Sequence, residues 1–142
     1  MKSVVIFGGA GYVGHHIVRR IAKKGYKIII PYQRSTNEAK LRLFGNVGQI
    51  IPVKYSNIEE NLIINSIKNS DVVINLKTVW QGKSDFFENE IYSFNTKIVD
   101  LINNTNKAKL FIYFSGLGIE NSILSPRSKA IFKSEEMISK NL

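Results

Sequence analysis

The sequence predicts an α/β fold, a doubly wound parallel sheet with the strand order 3-2-1-4-5 and helices on both faces. First, strand-like apolar runs alternate with segments of helical period along the whole chain. Second, three glycines follow the first apolar run and precede the first helical pattern. Third, the run Val72–Ile74 is apolar without interruption, as expected of a strand covered on both faces. Alternation of this kind gives parallel strands joined by right-handed crossovers, with helices on both faces.

The first strand and the first helix flank the glycine turn. Ser3–Phe7 is rich in β-branched residues and is predicted to be a strand, and Tyr12–Lys24 has the apolar spacing of a helix. A dinucleotide site needs one glycine for the tight turn, one where the backbone approaches a pyrophosphate, and one where helix and strand pack closely. These roles match Gly8, Gly11 and Gly14. The pattern therefore indicates a Rossmann-type nucleotide site, and the alternative is an ordinary glycine turn.

The start of the first helix completes this predicted site. Backbone amides at a helix N-terminus have no partner within the helix and lie at the positive end of its dipole. We therefore expect the amides around Tyr12 and Val13 to contact the phosphates of a dinucleotide.

The remaining elements follow from the same patterns. Gly25 is predicted to close the first helix, and Pro126 suits the first turn of the last one. In chain order the predictions are a strand at Lys27–Pro31, a helix at Glu38–Phe44, a strand at Gln49–Val53, a helix at Ile58–Lys68, a strand at Asp71–Leu76, a long helix at Phe86–Asn104, a strand at Leu110–Phe114 and a helix at Pro126–Ser139.

Composition limits the function classes. A chain of 142 residues is predicted to form one domain over residues 1–142. It has no cysteine, which excludes disulfides and thiolate metal sites, and no apolar run reaches the roughly 18 residues of a membrane span. The formal charge of +9 comes from lysines scattered along the chain, so we expect no specific nucleic-acid binding. A basic face for an anionic lipid surface or an acidic partner stays open as an alternative.

The end of the second strand predicts which dinucleotide binds. A site for NAD(H) places Asp or Glu there, about 20 residues past the glycines, to hold the ribose hydroxyls. This chain instead has Gln33, Arg34 and Ser35 there, and no carboxylate before Glu38. A guanidinium can grip a ribose 2′-phosphate through two charged hydrogen bonds, whereas a carboxylate would repel it. We therefore predict NADP(H) over NAD(H), with Arg34 as the main ligand helped by Ser35 and Gln33; the alternative is a solvated loop arginine.

A family resemblance is carried by the glycine turn, Asp71–Leu76 and Phe114–Gly116. Together these segments resemble the short-chain dehydrogenase/reductase superfamily, in its extended or atypical branch. A narrower resemblance is carried by Ile30–Tyr32 and by Leu41–Gln49, which ends in Gly-x-x-Gly-Gln. These segments resemble the family of dehydrogenase-like accessory subunits of respiratory complex I and their bacterial relatives.

The resemblance implies a partner or a continuation. In that family the nucleotide-binding domain continues into a further strand and a smaller C-terminal region that closes over the nicotinamide. The chain is therefore expected to be the nucleotide-binding part alone, as a natural split product, a decayed gene or a truncated sequence. The implied partners are a dinucleotide and either complex I subunits or a separately encoded C-terminal half. We expect a cytoplasmic protein, with peripheral contact at the inner face of the inner membrane as an alternative.

The superfamily resemblance also implies contacts to the adenosine part of the cofactor. Its dehydrogenases often place an Asp after the third strand, against the adenine amino group, and this chain has Asn57 there. Two roles for Asn57 stay open, which are contact with the base and the N-cap of the following helix. Asn75 and Leu76 end the fourth strand, where the backbone is expected to run beside the adenine ribose.

The same resemblance implies a catalytic set that is only partly present. Superfamily reductases use a Ser to orient the carbonyl, a Tyr as proton donor, a Lys four residues after the Tyr, and commonly an upstream Asn. Ser115, Lys129 and Asn95 match this set, but Ser125 stands at the Tyr position. A serine hydroxyl has a far higher pKa than a phenol, so it serves proton transfer near neutral pH poorly. Ser115 and Lys129 would still border the cofactor, Lys129 through the nicotinamide ribose, with a solvated lysine as the alternative.

Taken together, these residues predict a protein of the complex I accessory type that binds NAD(P)(H) structurally and is not an independent catalyst. Two alternatives stay open. One is half of an NAD(P)-dependent reductase or sugar-nucleotide epimerase that needs a second chain, and the other is a decayed fragment. No metal is expected, because His15 and His16 have no Asp, Glu or Cys cluster beside them and are expected at the surface.

Overall fold

The computed structural model describes residues 1–108, 110–119 and 125–142. The strands are β1 (Ser3–Phe7), β2 (Lys27–Tyr32), β3 (Ile50–Lys54), β4 (Val72–Asn75) and β5 (Leu110–Tyr113). The helices are α1 (Tyr12–Ala22), α2 (Glu38–Arg42), α3 (Asn61–Lys68), α4 (Ser84–Phe87), α5 (Phe94–Asn103) and α6 (Pro126–Asn141), with a π-helical turn at Glu88–Ser93 between α4 and α5.

All five strands are parallel and follow the order β3-β2-β1-β4-β5, which confirms the predicted topology. β1 lies at the centre, where Val5 is in register with Ile29 of β2 and Val73 of β4. Because the chain winds outward in both directions from β1, the carboxyl ends of β1 and β4 lie side by side. We call this side of the sheet its carboxyl edge, and ligands of open α/β sheets bind at such an edge.

Alternate side chains of the strands enter two cores, one on each face of the sheet. On the face of α3 and α5 the fully buried residues are Val5, Phe7, Ile63, Ile67, Val73 and Ile98. On the face of α1 and α2 the buried residues include Val4, Ile6, Val18, Ile28, Ile30, Leu41 and Ile74. A sheet covered on both faces explains why its central strands have uninterrupted apolar sequences.

Several helix boundaries differ from the predictions, including the ends of α2 and α6, which lie at Arg42 and Asn141 and not at Phe44 and Ser139. α1 ends at Ala22 because Gly25 adopts a φ of +82°, and its amide donates to the Ala22 carbonyl in a tightened last turn. α3 begins only at Asn61, after a loop that the Glu60 carboxylate holds through backbone amides. The long helix predicted over Phe86–Asn104 begins at Ser84 and contains the π-helical turn, which apolar spacing does not reveal.

The two edge strands differ in how they are protected. β3 carries Pro52, which removes a ladder donor and blocks further pairing. β5 has neither proline nor charge, and Leu110 is 51% exposed, with Ile112 also exposed. Phe114, directly after β5, is 50% exposed. β5 therefore presents an apolar edge that a further strand or partner could cover.

Candidate functional site

The glycine turn lies at the carboxyl edge and connects β1 to α1. Gly8 has a φ of +78°, which favours glycine, and its carbonyl accepts a hydrogen bond of 3.1 Å from the Gly11 amide. A Cβ on Gly8 would lie 2.8 Å from the Leu76 carbonyl carbon and 2.9 Å from the Lys77 nitrogen. The turn is therefore pressed against the chain where it leaves β4, and a side chain at residue 8 would separate them.

The first turn of α1 is open to a ligand. Gly11 is the N-cap residue, and no side chain of the described residues caps it. A Cβ on Gly11 would meet only the Gly8 carbonyl oxygen, at 3.2 Å. Tyr12 and Val13 follow as exposed residues, and their backbone amides belong to the first turn of α1, where amides have no partner within the helix. This arrangement fits a diphosphate, since the cradle beside Gly11 is one that a side chain would fill.

At the end of β4, the Asn75 side chain has a structural role. Its amide donates to Asn95 Oδ1 at 2.7 Å, and its own oxygen accepts from the Lys77 amide at 2.9 Å. Asn75 is buried, whereas Leu76 is half-buried and its amide donates to the Phe7 carbonyl. The Asn75 side chain is therefore not available to a ribose, and the predicted contact would involve the backbone at Asn75 and Leu76.

A cavity of about 350 Å³ lies between α1 and α2, beside the glycine turn. It is lined by Ala10, His15, Arg19, Thr36, Asn37, Lys40, Leu41 and Phe44. The lining contains the cations of Arg19 and Lys40 and no carboxylate. The Arg19 guanidinium lies 4.7 Å from the centre of the Phe44 ring, which orients it along the cavity wall. Sequence patterns missed this lining, because Arg19 and Lys40 belong to helices whose approach depends on the tertiary fold.

The predicted phosphate ligands lie on the loop between β2 and α2. Arg34 and Ser35 are both exposed, and neither lines that cavity, whereas the next residue, Thr36, does. Gln33 lines a different cavity, on the opposite side of the loop. Arg34 is therefore near Thr36 in the sequence but does not itself line the cavity between α1 and α2, which we call the basic cavity.

The second cavity, of about 290 Å³, lies between the loop after β3 and the π-helical turn. Ser56 and Asn57 line it, as do Lys77, Glu90 and Phe94. Asn57 is not the N-cap of the following helix, since Glu60 holds that position. Instead, the Asn57 side-chain oxygen accepts from the Glu59 amide at 3.0 Å. The hydrogen bonds from the Asn57 and Ser56 amides lower the pKa of the Glu60 carboxyl.

The remnant catalytic residues lie in different environments. Asn95 is 1% exposed and bonded to Asn75, so it lies in the core. Ser115 and Lys129 are exposed, and no hydrogen bond among the described residues links either of them to Asn95. Ser125, at the Tyr position, is the N-cap of α6, and its hydroxyl accepts from the Ser128 amide at 3.2 Å. The Ser125 hydroxyl thus stabilises a helix end.

The described residues contain neither a metal cluster nor a membrane-spanning helix. Within them, no group of three His, Cys, Asp or Glu side chains could hold a metal ion. None of the helices in residues 1–108, 110–119 and 125–142 is long and apolar enough to cross a membrane. Both histidines were expected at the surface. His16 is exposed, whereas His15 is half-buried and lines the basic cavity. The His15 Nδ1 lies 3.1 Å from the Gly11 carbonyl oxygen.

The chain matches a known protein family and is similar to named proteins. The model of the NAD dependent epimerase/dehydratase family matches residues 4–119. The chain is 27% identical over 135 residues to the mitochondrial NADH dehydrogenase (ubiquinone) 1 alpha subcomplex subunit 9 of Arabidopsis thaliana, covering 94% of this chain and 34% of that protein. It is 29% identical to the Rattus norvegicus protein of the same name, covering 92% and 35%. The chain thus spans about a third of the length of these relatives.

Among solved structures, the chain is similar to the Bordetella bronchiseptica enzyme WbmH in complex with NAD+. The TM-score is 0.77 at 18% sequence identity, and the match covers 99% of this chain and 52% of that one. At this identity the similarity establishes the fold alone.

Proposed function

The chain belongs to the NAD dependent epimerase/dehydratase family, and we propose that it binds a dinucleotide as a protein of the complex I accessory type, holding the cofactor structurally rather than turning it over. The observation that carries this proposal is the glycine turn. Gly8 and Gly14 are in close contact, which draws the first turn of α1 onto the end of β1, and no side chain of the described residues caps that turn. A diphosphate accepting from the amides around Tyr12 and Val13 would complete the unpaired end of the helix.

We propose NADP(H) as the preferred cofactor. The support is the cavity between α1 and α2, whose lining offers Arg19 and Lys40 without a carboxylate. A 2′-phosphate there would be held by two cations, and Arg34 and Ser35 on the adjoining loop would close over it from the solvent side. Glu38, the nearest carboxylate along the chain, is bonded to the Tyr32 hydroxyl and paired with Arg42 at 3.8 Å.

We propose that this chain alone does not turn over the dinucleotide. A bound dinucleotide would lie near Ser115 and Lys129, but the proton donor of the superfamily is absent and Ser125 serves as a helix cap. Tyr113 does not stand at the matching position, because it lies on β5 and not one helical turn before Lys129 on α6, and burial raises the pKa of its hydroxyl. Bound cofactor would instead stabilise the fold by mass action, by about 2.7 kcal/mol at a hundredfold excess over its Kd.

We propose complex I subunits, or a separately encoded C-terminal half, as the protein partners. The support is that the relatives are named as subunits of that complex and that β5 exposes an apolar edge. For localisation we propose the cytoplasm, with peripheral contact at the inner face of the inner membrane through a basic surface, since the chain carries a formal charge of +9.

Calorimetric titration of the chain with NADPH and with NADH tests the proposed binding. Saturable binding of NADPH, with a raised Tm and no consumption of NADPH, is expected. A chain that binds neither dinucleotide and aggregates without a partner would instead support the decayed-fragment alternative. Consumption of NADPH on co-expression with a C-terminal half would support the half-enzyme alternative.

A further inference from the structure

The first 37 residues of the chain contain no carboxylate. They hold seven of the 20 Lys and Arg residues and none of the 11 Asp and Glu residues, since the first acidic side chain is Glu38. Although lysines occur along the whole chain, this N-terminal segment therefore has charge of one sign. It forms β1, α1 and β2, so its cations can be assigned to particular surfaces of the fold.

Four of these cations lie in α1 or directly after it. The buried residues of α1 recur every four positions and mark the side that packs on the sheet: Gly14, Val18 and Ala22. Arg20 and Lys23 lie on the opposite side of the helix, Lys24 follows, and all three side chains are exposed. Arg19 instead lines the basic cavity. We call the side that carries Arg20, Lys23 and Lys24 the outward side of α1.

A groove of about 580 Å³ runs along this outward side. Every residue that lines it belongs to α1 or directly follows it: Tyr12, Val13, His16, Ile17, Arg19, Arg20, Ile21 and Lys23. The lining contains no carboxylate, and it includes the side chains of Tyr12 and Val13, which are 81% and 54% exposed. Because the lining comes from one helix, no second element provides a wall against which a folded ligand could pack.

The cations of the outward side have no carboxylate partner in the described part of the chain. The ion pairs among the described residues use other cations: Arg42, Lys77, Lys97 and Lys133. Two more lysines extend the basic surface beyond the end of α1, since the Lys27 amide donates to the Lys2 carbonyl at 3.0 Å. The outward side therefore continues into a surface of the same sign at the amino ends of β1 and β2.

Cations beside exposed apolar side chains on one side of a helix are the features with which proteins bind anionic bilayers. Each Lys or Arg near such a surface strengthens binding by about fivefold, and clusters of four or more on an amphipathic helix are typical of lipid binding. Amphipathic side chains such as that of Tyr12 suit the headgroup boundary. A second copy of this chain would bring like charges together, and an acidic protein segment would lack a facing wall.

We propose that the outward side of α1 docks on a bilayer surface rich in anionic phospholipids through Arg20, Lys23 and Lys24. The inference rests on the proposed function, which includes peripheral contact with a membrane, and goes beyond it by naming the surface and the lipid class. Arg20 lies nine residues beyond Gly11, which is about 14 Å along the helix axis. We therefore expect the bilayer and the dinucleotide to bind independently.

Flotation of the chain with lipid vesicles tests the inference. The parent is expected to float with vesicles of phosphatidylcholine and phosphatidylglycerol in equal parts, and not with vesicles of phosphatidylcholine alone. Raising the salt concentration should release the chain, because exposed charges are screened. An excess of glycerol 3-phosphate should not release it, since a single headgroup cannot contact several cations at once.

The triple variant Arg20→Gln, Lys23→Gln, Lys24→Gln is expected to bind the anionic vesicles at least about tenfold more weakly. Its NADPH binding should equal that of the parent, because the three residues lie away from the glycine turn. The matched control replaces three exposed lysines of other elements by Gln, which are Lys54, Lys68 and Lys140. The control removes the same charge and is expected to stay within about twofold of the parent.

A triple variant that fails to fold, as circular dichroism would show, is replaced by two single variants. Lys23→Gln and Lys24→Gln are each expected to lose about fivefold in vesicle affinity. Unchanged affinity in the folded variants would place the membrane contact on another surface and overturn the inference. An equal loss in the lysine control would reduce the contact to net charge, which also overturns it.

The parent itself can also contradict the inference. Equal flotation with phosphatidylcholine alone would show that anionic lipid is not selected. A parent that ignores both vesicles but binds polyglutamate would assign the surface to an acidic protein. Binding of NADPH without binding of vesicles overturns the inference alone, whereas binding of anionic vesicles without binding of any dinucleotide supports it and contradicts the proposed cofactor.

Discussion

Gly14 lies directly against Gly8, and a Cβ on residue 14 would stand 2.1 Å from the Gly8 carbonyl oxygen and 2.7 Å from the Gly9 Cα. Both neighbours are backbone atoms of the turn, which cannot move aside as a flexible side chain could. We expected Gly14 to mediate packing of α1 on β1, and the structure shows that the contact is with the turn itself. This contact draws the first turn of α1 onto the end of β1.

Substitutions of Gly11 and Gly14 are therefore expected to differ in effect, one on NADPH binding and the other on the stability of the fold. Gly11→Val should abolish NADPH binding while changing the Tm little, because the new side chain meets only the Gly8 oxygen and otherwise occupies ligand space. Gly14→Ala should already destabilise the fold by about 1–3 kcal/mol through overpacking against backbone. Thermal unfolding and calorimetry of both variants provide the check. A Gly11→Val chain that binds NADPH like the parent would place the site elsewhere.

The cations of Arg19 and Lys40, which line the basic cavity, are expected to set the preference for NADPH over NADH. Arg19→Gln and Lys40→Gln should each weaken NADPH binding by about tenfold, the loss of one charge-assisted hydrogen bond, and leave NADH binding nearly unchanged. Arg34→Asp should reverse the preference, because a carboxylate repels the 2′-phosphate and suits ribose hydroxyls. Lys140→Gln, at the exposed far end of α6, is the control for net charge. Parallel losses for NADPH and NADH would contradict a phosphate role for these cations.

Ser125 is expected to matter for the helix and not for chemistry. Ser125→Ala removes the cap of α6 and should lower the free energy of unfolding by about 1 kcal/mol. Ser125→Asp should retain that stability, because a carboxylate can accept the same amide hydrogen bond at the positive helix end. Chemical denaturation measures both variants. NADPH consumption by the parent that Ser125→Ala abolishes, at unchanged stability, would argue for a catalytic serine.

Asp71 is expected to make the stability depend on pH. Its Oδ2 accepts from the Ser3 amide at 2.7 Å, and this hydrogen bond holds the pKa of the carboxyl below its usual range. A carboxyl whose pKa is lowered by folding stabilises the protein above its unfolded pKa of about 3.9, and that contribution is lost as the pH falls through the folded value. Asp71→Asn should therefore lower the Tm at pH 7, with the gap to the parent closing under acid conditions. Asp100→Asn, on the exposed side of α5, should show no such convergence.

Much of the fold could be predicted from local pattern. Apolar runs such as Ser3–Phe7 and Val72–Ile74 identified the central strands, because a strand buried on both faces needs apolar residues at every position. Alternation of strands with helices predicted a parallel sheet with right-handed crossovers, and the glycine turn after the first strand favoured the order 3-2-1-4-5, which the structure has. The Gly8/Gly11/Gly14 spacing located the turn, because Gly11 and Gly14 each meet backbone atoms of the turn itself, whereas the contact of Gly8 with Leu76 and Lys77 depends on the fold.

The site beyond the glycine turn depended on contacts between distant segments. The π-helical turn at Glu88–Ser93 has the same apolar spacing as the α-helix around it, so periodicity alone could not separate them. Tertiary packing brought Lys77 to Glu90, Asn75 to Asn95, and Arg19 to the cavity shared with Lys40. By itself the sequence determined the strands and the glycine turn, because local sterics and burial specify these, and the alternation of strands and helices around that turn predicted the strand order. The walls of the two cavities were decided only by the fold, since hydrogen bonds and ion pairs between residues far apart in the chain depend on how helices meet across the sheet.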